Sequence, residues 1–214
     1  MYLSQIEVES SNPRTKRDLV HLGAIHGWVE HCFPAEIAQG ARLRHLWRLD
    51  RTQGHTYLLL LSPDKPDLRI LSRYGVPETA QMANYDEMLN TIQAGQIRCF
   101  RLTANAVKRR SQTGQAVAYT NQTDLQRWLL YRAVDHGFEI TTNAHSDFDL
   151  RAEVQRQPLR RGDRIVPLSL TTYEGQLRII DAELFKQTLV KGIGREKAFG
   201  CGLLTVEPTL ETQD

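Results

Sequence analysis

The chain has 214 residues, 41% hydrophobic and 24% charged, with a formal net charge of +2, an ordinary make-up for a globular protein of one large or two small domains. No stretch approaches the roughly 20 consecutive apolar residues of a membrane-spanning helix. Three widely spaced cysteines, Cys32, Cys99 and Cys201, offer neither a disulfide framework nor a Cys-x-x-Cys zinc site, so a reducing, cytoplasmic location is expected.

In chain order, the alternation over Tyr2–Val8 predicts a strand, broken at Asn12-Pro13. Residues 16–33 read as a helix stopped by Pro34. Strands follow over 41–50 and 55–61, joined by a turn at Gly54, and then a short helix over 67–73. Residues 78–95 are ambiguous, with a strand near 81–85 and an irregular connection after it. A strand over 97–103 precedes a helix over 123–136, capped by Thr123 or Asp124, whose buried face is expected to hold Leu125, Trp128, Leu129 and Val134. A strand over 138–142 leads to an Arg-rich hairpin over 150–170 and a separate strand over 176–180. A helix over 181–191, capped by Asp181 and stopped by Gly192, precedes the last strand, 203–207. Each half thus runs strand, helix, strands, helix, strand. That order predicts an α+β fold of two tandem ferredoxin-like domains, 1–94 and 95–214.

The small net charge hides an uneven distribution. Residues 98–110 carry five cations and no acid, residues 151–164 five arginines and two acids, and residues 186–197 four cations and one acid. Patches of this kind govern phosphate binding more than the total does. The last of them opens Lys191-Gly192-Ile193-Gly194-Arg195-Glu196-Lys197-Ala198-Phe199-Gly200-Cys201-Gly202, with four glycines and three cations between a helix and a strand. Nucleotide-binding loops have the reverse order, strand to helix, and Lys197 stands where a Gly-x-Gly-x-x-Gly pattern needs its third glycine. Two readings remain: a tight helix-to-strand turn, or a loop lying along a nucleic-acid backbone. The second is preferred.

On the first long helix, Gly23, His26, Gly27 and Glu30 share one face. Two glycines inside a helix cost about 1 kcal/mol each relative to alanine, which suggests clearance for a bulky ligand beside His26, or else close packing there. Histidine is suited to proton transfer near neutral pH. Asp147 and Asp149 form only a polar turn, so no metal or other cofactor is expected.

The loop Gly-Ile-Gly-x-x-Lys-x-x-Gly-Cys-Gly-Leu-Leu resembles that of CRISPR-associated RNA endonucleases. The likeness is to the CasE family, the crRNA-processing subunit of type I-E Cascade. The opening Met1-Tyr2-Leu3-Ser4 agrees with it. So do Arg17-Asp18-Leu19 followed by His26 and Phe33-Pro34, and the segment Phe100-Arg101-Leu102-Thr103-Ala104-Asn105-Ala106-Val107-Lys108.

The resemblance implies a metal-independent endoribonuclease that binds a CRISPR repeat hairpin, cuts at the 3′ base of the stem and stays in Cascade with its other subunits. It implies His26 as main catalytic residue. Gly23 stands where the family has a supporting tyrosine, and His31 where some members have lysine; His31 is the second catalytic candidate and His21 the third. The expected RNA-binding residues are Arg101, Lys108 and Arg109; Arg151, Arg156, Arg160, Arg161 and Arg164 on the hairpin; and Lys191, Gly194, Arg195, Lys197, Gly200 and Gly202 in the loop. A monomer is expected when the protein is alone. The alternatives are a non-catalytic hairpin-binding module and a purely structural subunit.

Overall fold

The structure, a computed structural model, describes residues 1–112, 114–161 and 164–207, with the side chains of 160, 161 and 164–166 outside the description. The first unit comprises β1 (Tyr2–Glu7), α1 (Pro13–Asp18), α2 (Leu22–His31), α3 (Pro34–Gln39), β2 (Leu46–Thr52), β3 (His55–Ser62), α4 (Leu68–Leu71), β4 (Gln81–Asn84) and α5 (Tyr85–Asn90). The second comprises β5 (Ile97–Ala104), β6 (Val107–Arg109), β7 (Ala116–Ala118), α6 (Gln122–Asp135), β8 (Phe138–Ile140), β9 (Leu150–Arg161), β10 (Arg164–Ile179), α7 (Ala182–Lys191) and β11 (Leu204–Val206).

The first sheet has the order β2-β3-β1-β4 and the second β11-β5-β10-β8, with β9 paired to β10. Counting only the four strands of each path, the first and third in chain order lie at the centre and the second and fourth at the edges, while β6 and β7 form a separate two-stranded ribbon. The expected pair of ferredoxin-like units is therefore what the chain forms.

Several local expectations change. The predicted helix over 16–33 is two helices, broken at Leu19–His21, because His21 caps α2: its Nδ1 accepts the Ala24 N–H at 3.0 Å. Pro34 ends α2 but also opens α3 at a position where a missing N–H costs nothing. The irregular stretch after β4 is α5, capped by the Asn84 side chain. The cap of α6 is Asn121, and Ala133, not Val134, continues its buried stripe. Position 133 is four residues after Leu129, whereas Val134 has rotated off that face and is 76% exposed. The expected strand at 176–180 is the continuation of β10, which runs unbroken from the hairpin.

Two apolar clusters form the core, and each crosses between the units. Leu46 and Leu61 of the first unit join the cluster built on β5, β10, α6 and α7. Leu159 and Leu168, from the β9–β10 hairpin, join the cluster beneath α2. Positions alternate along β10: Tyr173, Leu177 and Ile179 face their own unit's core, while the even-numbered Leu168 presents the opposite face to the first unit.

The polar link is Arg48, on β2 and only 2% exposed. Its Nη1 donates to the carbonyls of Arg101 at 2.8 Å and Leu203 at 2.9 Å; Nη2 donates to Thr205 Oγ1 at 2.9 Å and to Asp50 at 2.8 Å, and Nε donates to Asp50 at 2.7 Å. Removing one partner of a buried charged pair typically costs about 3–5 kcal/mol. Arg48→Ala is expected to lower unfolding stability by about that much, measured by urea denaturation. A loss below about 1 kcal/mol would show that the pair is no more than a surface bridge.

Candidate functional site

Helix α2 is where the two units and the hairpin meet: it packs against the turn at Lys197–Phe199 within the glycine-rich loop and against β9. Its buried stripe, Leu22, Ile25, Trp28 and Val29, faces the first sheet. The other side presents Gly23, His26, Gly27 and Glu30. The His26 side chain is 36% exposed, and its ring meets the edge of Phe199 at a centroid distance of 6.3 Å. Its Nδ1 lies 3.8 Å from Glu30 Oε1. A Cβ at Gly27 would meet nothing within 4 Å, so that glycine borders open space rather than a packed neighbour.

The loop's shape comes from its glycines. Gly192, Gly194, Gly200 and Gly202 all have positive φ, which side-chain-bearing residues rarely adopt. Gly200 and Gly202 are buried. At Gly200 a Cβ would lie 2.9 Å from the Trp47 indole, and at Gly202 it would lie 3.0 Å from the Ile193 carbonyl and against the Lys197 stem. These two glycines shape the loop and seat it on β2. Gly194 is half-exposed, and Lys191 and Arg195 are exposed. Cys201 is buried inside the loop, which pushes its thiol up to about 12 and keeps it protonated. Lys197 is half-buried; burial first, and then the Arg44 cation, lower its pKa. Lys197 thus stands on the turn that packs against α2, with the Arg44 cation of the segment before β2 near enough to be felt there. Arg44 was not singled out from sequence, because it lies in a stretch with no distinctive motif.

The other expected residues divide. Arg101 is engaged in ion pairs across the two units. It is pinned between Asp50 at 3.4 Å and Glu174, since β5 is a central strand facing the first unit. Lys108 and Arg109 are exposed on the β6–β7 ribbon, with Lys108 over the Tyr119 ring. Arg151 and Arg156 are exposed on β9. The backbones of Arg160, Arg161 and Arg164 pair near the hairpin turn, but their side chains lie outside the described residues. His31 does not join His26: five residues along a helix is well over a third of a turn away. Its Nδ1 lies 2.5 Å from the Gly27 carbonyl, and it lines a separate recess with Arg14, Pro34, Ile37 and Arg69. His21 is occupied as the cap of α2. Among the described residues, no group of three or more His, Cys, Asp or Glu side chains is placed to hold a metal. No helix among them is long and apolar enough to cross a membrane.

Fold and site together define a tandem ferredoxin-like protein in which a histidine-bearing helix of one unit abuts a glycine-rich loop of the other. The chain belongs to the family described as CRISPR associated protein, which it matches over residues 1–208. It is 27% identical over 216 residues to the CRISPR-associated endoribonuclease Cse3 of Thermus thermophilus, covering 97% of this chain and 100% of that protein. The structure of Thermus thermophilus Cse3 bound to an RNA representing a pre-cleavage complex aligns with a TM-score of 0.81 at 26% identity, covering 97% of this chain and 98% of that one. Cas6e of Escherichia coli K-12 shares the fold, with a TM-score of 0.67 at 22% identity over 98% of this chain and 100% of that one. The likeness to the CasE family read from the motifs is borne out.

The two kinds of glycine should respond oppositely to substitution. Gly27→Ala is expected to stabilise the fold by about 0.5–1 kcal/mol, as for any open helix-interior glycine, yet to slow RNA cleavage if RNA fills the space beside it. Gly200→Val is expected to destabilise by more than about 1 kcal/mol, from φ strain and the clash with Trp47. Thermal melts of both variants, with a cleavage assay of Gly27→Ala, check the contrast.

Proposed function

We propose that this protein is a metal-independent endoribonuclease that binds the stem-loop of a CRISPR repeat transcript and cuts it at the 3′ base of the stem. It keeps the product as a subunit of a Cascade-type complex and acts in the cytoplasm. The observation that carries this reading is the placement of a partly exposed His26 against the Phe199 turn, on the helix that also packs on the basic hairpin. A histidine, nearby cations and a basic strand pair are the parts that cleavage of an RNA phosphodiester requires. The RNA-bound Cse3 structure, with the same fold over nearly the whole chain, supports it.

In this reaction the 2′-hydroxyl loses its proton and attacks the adjacent phosphorus. The P–O5′ bond breaks, the 5′-oxygen takes up a proton, and the products are a 2′,3′-cyclic phosphate and a 5′-hydroxyl. His26 moves a proton at the reacting phosphate. Lys197 and Arg44 stabilise the extra charge on the phosphorane. Arg151 and Arg156, with Arg160, Arg161 and Arg164, follow the phosphates that border the deep, narrow major groove of the A-form stem. Lys108, Arg109, Lys191, Gly194 and Arg195 extend this surface, and His31 lines the neighbouring recess. The domain division at residues 94 and 95 places the histidine in one unit and the RNA-holding loop and hairpin in the other. Gly23 in place of the family's tyrosine favours the alternative of a binding module without catalysis.

The test is single-turnover cleavage of the repeat RNA transcribed from the array beside the gene. His26→Ala is expected to lose about 100- to 10,000-fold in rate, with hairpin affinity within a few-fold of wild type. Wild-type cleavage should continue in excess EDTA and stop when the scissile nucleotide is 2′-deoxy. Unchanged rates in His26→Ala would refute the assignment, and tight binding without cleavage by the wild type would select the binding-module alternative.

Neutralising Arg151 and Arg156 together is expected to weaken binding and flatten its salt dependence. Each phosphate that no longer meets a cation reduces the log–log slope by roughly 0.7–0.9. An unchanged slope would mean that these arginines face only solvent.

A further inference from the structure

A chain of ionisable side chains runs inward from His26. Glu30 Oε1 lies 3.8 Å from His26 Nδ1 and 3.0 Å from His45 Nδ1. The His45 side chain is 2% exposed and stacks flat on Phe33, with ring centroids 3.8 Å apart. Its other nitrogen, Nε2, lies 3.2 Å from Glu36 Oε1, and Glu36 Oε2 in turn accepts the Leu43 N–H at 3.2 Å. Both ends of His45 are thus held by carboxylates, and the Phe33 ring fixes its plane. Glu30 is the outermost carboxylate of the chain, only 31% exposed, and is oriented from behind.

We propose that Glu30 is a positioning residue for His26, itself aimed by the buried His45. A carboxylate beside Nδ1 favours the tautomer with its proton there. That directs Nε2, free of this partner, at the reacting oxygen, and it balances the positive charge of the imidazolium that proton transfer creates. The logic is that of any histidine base oriented by a third group. The 3.8 Å separation is an ion-pair distance and not a hydrogen bond. Such contacts often tighten when substrate binds. A carboxylate at position 30 can accept from both histidines and supplies a negative charge between them.

The inference rests on the assignment of His26 made above, and the experiment separates the two. Single-turnover rates and dissociation constants are measured with the repeat hairpin for wild type, Glu30→Gln, Glu30→Asp, His26→Ala and His26→Ala/Glu30→Gln. Glu30→Gln, isosteric but uncharged, is expected to lower the rate roughly 10- to 100-fold, less than His26→Ala does, with affinity unchanged. Glu30→Asp, which keeps the charge, should recover part of that loss. In the His26→Ala background, Glu30→Gln should change the residual rate less than about 2-fold, because residues acting as one unit are not additive. A wild-type rate in Glu30→Gln with an inactive His26→Ala overturns this inference alone. So does an equal loss in both backgrounds, or a fall in affinity and melting temperature with no recovery in Glu30→Asp, since each marks a purely structural carboxylate. A wild-type rate in His26→Ala overturns the catalytic assignment itself.

Discussion

The site depends on the buried guanidinium of Arg48. A ferredoxin-like unit has its own core and can be joined to another at many angles. Arg48 removes that freedom. Its donors reach the backbone carbonyls of Arg101 on β5 and Leu203 beside β11, so it reads the main chain of the second unit directly. Asp50, two residues along the same face of β2, balances the charge and also engages Arg101. A charge taken out of water at this depth is tolerated only when nearly all its donors find acceptors, and that requirement fixes the relation of the two sheets closely.

The neighbouring residue on β2 uses the same constraint from the other side of the sheet. Strand residues alternate faces, so with Arg48 turned to the second unit, Trp47 points towards α2. Its indole receives Gly200, where a Cβ would stand 2.9 Å away. One dipeptide therefore docks the units and seats the glycine-rich loop. The loop then brings Phe199 to the His26 ring and holds Lys197 with its stem over Gly202. The catalytic arrangement proposed above has few covalently local parts: His26, Lys197 and the arginines of β9 come from segments widely separated along the chain.

The ferredoxin-like repeat was legible because periodicity and end signals agree over most elements: Asp181 and Gly192 bound α7 as read, and Gly54 sits in the β2–β3 turn. What escaped has physical reasons. Helix α5 is six residues long, too short for a 3.6-residue period to emerge. The break between α1 and α2 is made by a histidine cap, a role more often filled by Ser, Thr, Asp or Asn. The interior histidine of α2 was legible from its glycine neighbours, whereas the pairing of Arg101 was not: a cation in a basic stretch looks unpaired until the fold supplies Asp50 and Glu174. His45, which lies in no motif, acquires meaning only when α2 and α3 bring carboxylates to both of its nitrogens.

The separation of paired from displayed cations also explains why a net charge of +2 is compatible with binding a polyanion. Between the two sheets lies a cleft of about 840 Å³ lined by Asp50, Asp149, Glu174 and Glu207, along with Arg48 and Arg101. Both of those arginines are already engaged by carboxylates, so the cleft is left with acids in excess. The cations of β9 and the glycine-rich loop instead lie on elements that pack against α2, the side of β2 to which Trp47 points. Placing the acids where the units are joined and the bases where α2, β9 and the loop converge gives a nearly neutral protein a directional field. In the proposed function, such a field would turn the phosphates of an approaching RNA stem towards His26.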